Sequence, residues 1–90
     1  MTELLAELGL ARLVGEPGAD DTFVCDLEDS NDFGRVLSTL DSNEDLEYLE
    51  EISSLNGDNS NQVYMYMDLY EIFLIGDFEG DVYKLVITTL

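Results

Sequence analysis

Carboxylates dominate the reactive side chains of this 90-residue chain, which has 21 Asp and Glu, three Lys and Arg, and no histidine. Without histidine, Ser-His and Cys-His nucleophile pairs and histidine-based metal sites are excluded. A carboxylate pair of the glycosidase kind needs a cleft with substrate-binding walls, and 90 residues leave little room to build one. There is no glycine-rich phosphate loop. Asp41-Ser42-Asn43-Glu44-Asp45 matches the first, third and fifth positions of an EF-hand loop, but Leu46 stands where glycine is needed and Ile52 where the bidentate Glu should be. Cys25 is the only cysteine, so no internal disulfide can form. No Lys, Arg or His lies near it in sequence, and it reads as a packed thiol. These residue types predict no enzyme, no metal site and no cofactor.

The other chemistry open to carboxylates is recognition of cations. The formal net charge is −18, and Arg12, Arg35 and Lys84 are the only side chains of opposite sign. Self-repulsion of this size destabilises a compact state while keeping it soluble, so the imbalance requires a reason. Three cations cannot neutralise a row of phosphates, which excludes direct binding of nucleic acid. Anionic lipid would repel the chain, no apolar run is long enough to span a bilayer, and no membrane partner is expected. Duplex DNA carries a charge about every 1.7 Å of axis, so a dense carboxylate surface can occupy the groove of a basic, nucleic-acid-binding protein.

Two surfaces are candidates for partner binding. Glu44, Glu47 and Glu51, with Glu50 beside them, would share one face of a helix opening at Ser42, and no Lys or Arg occurs between residues 36 and 83. Like charges at this spacing destabilise a helix by roughly 0.2–0.5 kcal/mol per pair. The second is the face of an extended segment carrying Tyr64, Tyr66, Asp68 and Tyr70, since tyrosine combines apolar area with a hydroxyl and is enriched in binding hot spots. Met65 and Met67, on the opposite side with Val63 and Leu69, are assigned to the core.

The elements that must position these residues follow from periodicity and punctuation. Thr2 caps a helix whose Leu4, Leu5, Leu8 and Ala11 share a face, ending at Gly9 or at Gly15; in the first case Leu10–Val14 is a short strand. Gly15-Glu16-Pro17-Gly18 is a turn and residues 19–21 an acidic connector. Phe23, Cys25 and Leu27 line one face of a strand. Asp29-Ser30-Asn31-Asp32 then caps a helix bearing Phe33, Val36, Leu37 and Leu40, weakened by Gly34. A third helix runs from Ser42 with Leu46, Leu49, Ile52 and Leu55 as its stripe and stops at Asn56-Gly57. Beyond the polar loop 58–61 the period becomes alternating, and residues 62–76 fit two strands or one long bent strand. The strand-like segments 72–75 and 82–88 flank Asp77-Phe78-Glu79-Gly80-Asp81, the spacing of a hairpin turn with Gly80 left-handed. The prediction is one α+β domain over residues 1–90, with an antiparallel sheet of three to five strands, a C-terminal meander, and two or three helices.

In size, charge and α+β make-up the chain resembles the small acidic inhibitors that bacteriophages make against nucleic-acid enzymes: anti-CRISPR proteins, anti-restriction proteins and the uracil-DNA glycosylase inhibitor. The resemblance is one of general character over the whole chain, and no site residue is carried over from it. It implies a DNA-mimic inhibitor, a monomer or small homo-oligomer in the host cytoplasm, where a lone cysteine stays reduced. An immunity protein or antitoxin against a cognate nuclease rests on the same physics. An ordinary domain of a halophile ranks third, because its core shows no trimming for high salt.

Overall fold

A computed structural model describes residues 2–17 and 22–90. Nine elements follow one another: α1 (Thr2–Glu7), β1 (Glu16–Pro17), β2 (Phe23–Leu27), α2 (Ser30–Asp41), β3 (Leu46–Tyr48), β4 (Ser54–Asn56), β5 (Asn59–Tyr66), β6 (Tyr70–Asp77) and β7 (Val82–Thr89). All the strands join one antiparallel sheet in the order β1-β2-β7-β6-β5-β3, with β4 also on β5. The fold is α+β. Its sheet is larger than the three to five strands expected, and two helices are found among the described residues. The acidic connector 19–21 lies outside those residues.

α1 stops early for a definite reason. Gly9 adopts φ +77, the Leu10 N–H donates to the Leu5 carbonyl at 2.7 Å, and the Gly9 N–H donates to that of Ala6 at 3.2 Å. This is a Schellman cap, with Leu5 and Leu10 buried side by side beneath it. Thr2 is therefore the first helical residue, and Leu10–Val14 continues as turn and loop with Leu13 buried. Glu16-Pro17, expected in a turn, pairs with Val24 and Phe23 as β1.

α2 is capped by Asp29, whose carboxylate accepts from the Asp32 N–H at 2.9 Å. Its buried face, Phe33, Val36 and Leu40, packs on the sheet against Ile72, Leu74, Leu85 and Ile87, which are fully buried. The Phe33 ring lies so close to β6 that a Cβ on Gly76 would come within 2.8 Å of it. Asp32 is buried as well. The Arg12 guanidinium donates to it at 2.6 Å and the Glu28 N–H at 3.4 Å, which ties the loop after α1 to the start of α2. Burial by itself would push this carboxyl up. The hydrogen bonds from Arg12 and Glu28 and the charges of Arg12 and Arg35 outweigh it and hold Asp32 below its ordinary value.

The third helix expected from Ser42 is replaced by two short edge strands. β3 pairs with the C-terminal half of β5 and β4 with its N-terminal half, while residues 49–53 turn between them. Asn59, Ser60 and Asn61, expected in a loop, belong to β5. Asn56 faces Asn59 across a two-residue connection in which Gly57 has φ +60, so Asn56-Gly57 ends a hairpin strand rather than a helix.

Residues 62–76 form two strands, and the turn between them is strained. Met67 and Asp68 both have positive φ, 51 and 56, and the Leu69 N–H donates to the Tyr66 carbonyl at 2.9 Å. This type I′ geometry suits Asn-Gly, whereas L-residues in the left-handed region cost about 1–2 kcal/mol each. In the β6–β7 connection it is Asp81, at φ +54, that turns left-handed in place of Gly80. Replacing Met67-Asp68 by Asn-Gly should stabilise the domain by about 1–2 kcal/mol and raise the melting temperature by about 5–10 °C. Met67→Asn alone leaves the charge unchanged and should carry part of the gain; an unchanged or lower melting temperature would contradict the turn assignment.

Candidate partner-binding surface

Strand register decides which tyrosines are available to a partner. Tyr64 lies opposite Ile72 and Tyr66 opposite Tyr70, so both tyrosines point to the face covered by the helices, and both are buried. The expected tyrosine surface is therefore inverted: Tyr64 and Tyr66 belong to the core, while Met67 is 61% exposed and Met65 lies half-buried on the other face. A period of two defines two faces without saying which is inward, and here each buried phenol finds a carboxylate on a helix. The Tyr64 O–H donates to Asp41 at the end of α2 at 2.6 Å, and the Tyr66 O–H donates to Glu7 of α1 at 2.8 Å. Tyr70 is half-buried and Asp68 is exposed in the β5–β6 turn. Tyr48, on edge strand β3, is 41% exposed and donates to the Gln62 side-chain carbonyl oxygen at 2.6 Å.

The four glutamates do not share a helix face. Glu44 lies in the turn before β3, Glu47 is on β3 opposite Met65, and Glu50 and Glu51 lie in the turn leading to β4. All four are exposed along one edge of the sheet. A structural role suits that position, because charges on short edge strands prevent edge-to-edge pairing with other chains.

Elsewhere the acids gather at the two ends of the sheet. At one end Glu3, Glu7 and Asp45 line a shallow cleft with Tyr66, Met67 and Tyr70, and Asp68 projects from the turn beside it. At the other, Asp58, Glu79 and Asp81 occupy the connections that close the β4–β5 and β6–β7 hairpins. Eight-residue strands separate the two ends by roughly 24 Å. Among the described side chains every Asp and Glu is exposed except Asp32, which is buried, and Glu71 and Asp77, which are half-buried. Lys84 stands 3.7 Å from Asp26, an exposed pair worth at most about 1 kcal/mol.

The remaining chemistry is structural. Cys25 is buried against the backbone, and burial, followed by the negative charges of Asp26 and Asp32, pushes its thiol up. Among the described residues no group of three or more His, Cys, Asp or Glu is placed to hold a metal ion, and no helix is long and apolar enough to cross a membrane. Comparison with protein-family models, curated proteins and solved structures finds no match to this chain.

Three phenols are held above their ordinary value: Tyr64 and Tyr83 by burial first and by Asp41 and Asp81 next, Tyr66 by its hydrogen bond to Glu7 first and burial next. A phenol whose folded pKa is raised contributes stability that is fully present below the unfolded value of about 10 and lost as pH rises through the folded value. Denaturant midpoints should therefore fall between about pH 10 and 12. Tyr64→Phe should cost about 1 kcal/mol at neutral pH and show a smaller alkaline loss. A parent midpoint that stays level across this interval would contradict the assignment of these phenols.

Proposed function

We propose that this chain is an acidic inhibitor that occupies the positively charged, nucleic-acid-binding surface of a nuclease, glycosylase or CRISPR effector as a nucleic-acid mimic. The observation that carries the reading is the placement of charge. Most described carboxylates are exposed at the ends and along one edge of the sheet, and of three cations one is committed to buried Asp32 and another stands beside Asp26. Asp29, Asp41 and Glu7 hold a helix end or a buried phenol, but the edge glutamates Glu44, Glu47, Glu50 and Glu51 lie outside the core, and the repulsion of so many carboxylates opposes compaction. Against clustered Lys and Arg the same charges steer encounter and raise the on-rate by about 10- to 10³-fold at low salt.

On this reading the chain acts by occupancy, without catalysis, and in a reducing compartment such as the cytoplasm. Glu44, Glu47, Glu50, Glu51 and Asp68 supply exposed charge to the contact, with Tyr48 and Tyr70 as the phenols nearest solvent. Tyr64 and Tyr66 act only by holding the sheet to the helices.

The test begins with capture of a basic partner at low salt and its identification by mass spectrometry. Saturating oligonucleotide should then displace the protein from that partner, and the on-rate should fall at least about tenfold between about 50 and 500 mM salt. Unchanged affinity in the presence of oligonucleotide would contradict mimicry, and a flat salt response would contradict electrostatic steering.

A further inference from the structure

The outer face of the sheet, turned away from both helices, is more apolar than an open face requires. Antiparallel sheets with one solvated face alternate hydrophobic-in and polar-out. Here the three central strands carry unbroken apolar runs: Phe23-Val24-Cys25 on β2, Ile72-Phe73-Leu74-Ile75 on β6 and Leu85-Val86-Ile87 on β7. Such runs mark strands covered on both faces. Alternate residues of each run enter the core beneath the helices, and the others point outward. Register aligns those outward residues into one row across four strands, Val24 opposite Val86, Val86 opposite Phe73 and Phe73 opposite Val63.

One end of this row is buried. The turn 49–53 runs along the edge of β5 at Val63, where the Leu49 N–H donates to the Val63 carbonyl at 2.9 Å and the Ser53 hydroxyl accepts from the Val63 N–H at 2.8 Å, and Val63 is fully buried. Val24, Phe73 and Val86 are half-buried, with Ile75 beside them 39% exposed and Ile52, on the edge turn, 48% exposed.

Charge indicates what fits there. One side of the row is bordered by Glu47 and Glu71, which flank Met65 on neighbouring strands; the other is bordered by Asp26 and Lys84, 3.7 Å apart, with Asp77 further along β6. The two nearer margins stand four residues apart along the strands, roughly 14 Å, enough for an α-helix about 10–12 Å across. A second copy would set the same carboxylates against each other and join two bodies of charge −18. We infer that the outer face of the sheet is a docking surface for an amphipathic helix of a basic protein, whose apolar stripe packs on Val24, Val86, Phe73 and Ile75 while its Lys and Arg reach Glu47 and Glu71 on one margin. The inference rests on the reading that the partner is basic, and it adds how that partner is held in register, which long-range charge does not provide.

The probe is a 14-residue Leu/Lys peptide with an amphipathic helical pattern, compared with a scrambled peptide of identical composition. The patterned peptide should bind at least about tenfold tighter than the scrambled one, and Phe73→Thr/Val86→Thr should abolish that preference. Both substitutions place β-branched threonine in strands, and the melting temperature reports whether the fold survives. Should the double variant unfold, the amide chemical shifts of the parent protein decide: a footprint on β2, β6 and β7 supports the inference, and one confined to residues 43–51 and 77–81 overturns it. Equal binding of both peptides overturns the inference and leaves the charge reading standing, whereas binding of neither overturns both. A concentration-dependent dimer that Phe73→Thr/Val86→Thr returns to monomer would make a second copy the occupant and overturn it as well.

Discussion

Mutual repulsion among carboxylates is the constraint under which every other feature of this fold operates. At −18 the chain must bury its apolar surface without bringing negative charges together. The arrangement of groups follows. Among the described residues the core of Leu, Ile, Val and aromatic side chains contains a single buried carboxylate, Asp32, and Arg12 is held against it. Asp41 and Glu7, at the ends of the two helices, meet neutral phenol donors rather than cations. Most of the remaining acids among the described residues stand in turns, at strand ends and on the sheet edge, where water screens them.

The same constraint explains which parts of the fold can be read in the sequence. α2 is legible because its cap, Asp29, and its stripe of Phe33, Val36, Leu37 and Leu40 are local signals that tertiary structure does not oppose. The C-terminal meander is legible from alternation in β5, the β-branched and aromatic runs of β6 and β7, and the turn residues between them. Residues 42–55 are not. Leu46, Leu49, Ile52 and Leu55 fall at helical spacing, but a helix there would stack Glu44, Glu47 and Glu51 without one compensating lysine. Three-residue strands are too short for alternation to show, and pairing with β5 prevails. The local clue was Asn56-Gly57, a hairpin signal that also reads as a helix stop.

The candidate site was legible in charge and illegible in shape. Exposure of Glu44, Glu47, Glu50 and Glu51 follows from their type, yet they line an edge rather than one helix face. Inversion of the tyrosine face depends on the register of β5 with β6 and on acceptors contributed by Glu7 and Asp41, both distant in sequence. The outer apolar row is visible only once strand order places Val24, Val86, Phe73 and Val63 side by side. Two kinds of surface then coexist: exposed acids suited to steering a basic partner, and an apolar strip suited to fixing it in place.

The central claim is that exposed acids oppose folding and serve binding. Thermal unfolding of the parent and of a variant with Glu44, Glu47, Glu50 and Glu51 all changed to Gln, each with and without a captured basic partner, tests it most directly. Alone, the variant should melt higher, because repulsion is relieved at no loss of packing. With partner present the parent should gain more, because binding to the folded state adds stability in proportion to affinity. A variant that melts no higher alone, or that gains as much as the parent from the partner, would contradict the account.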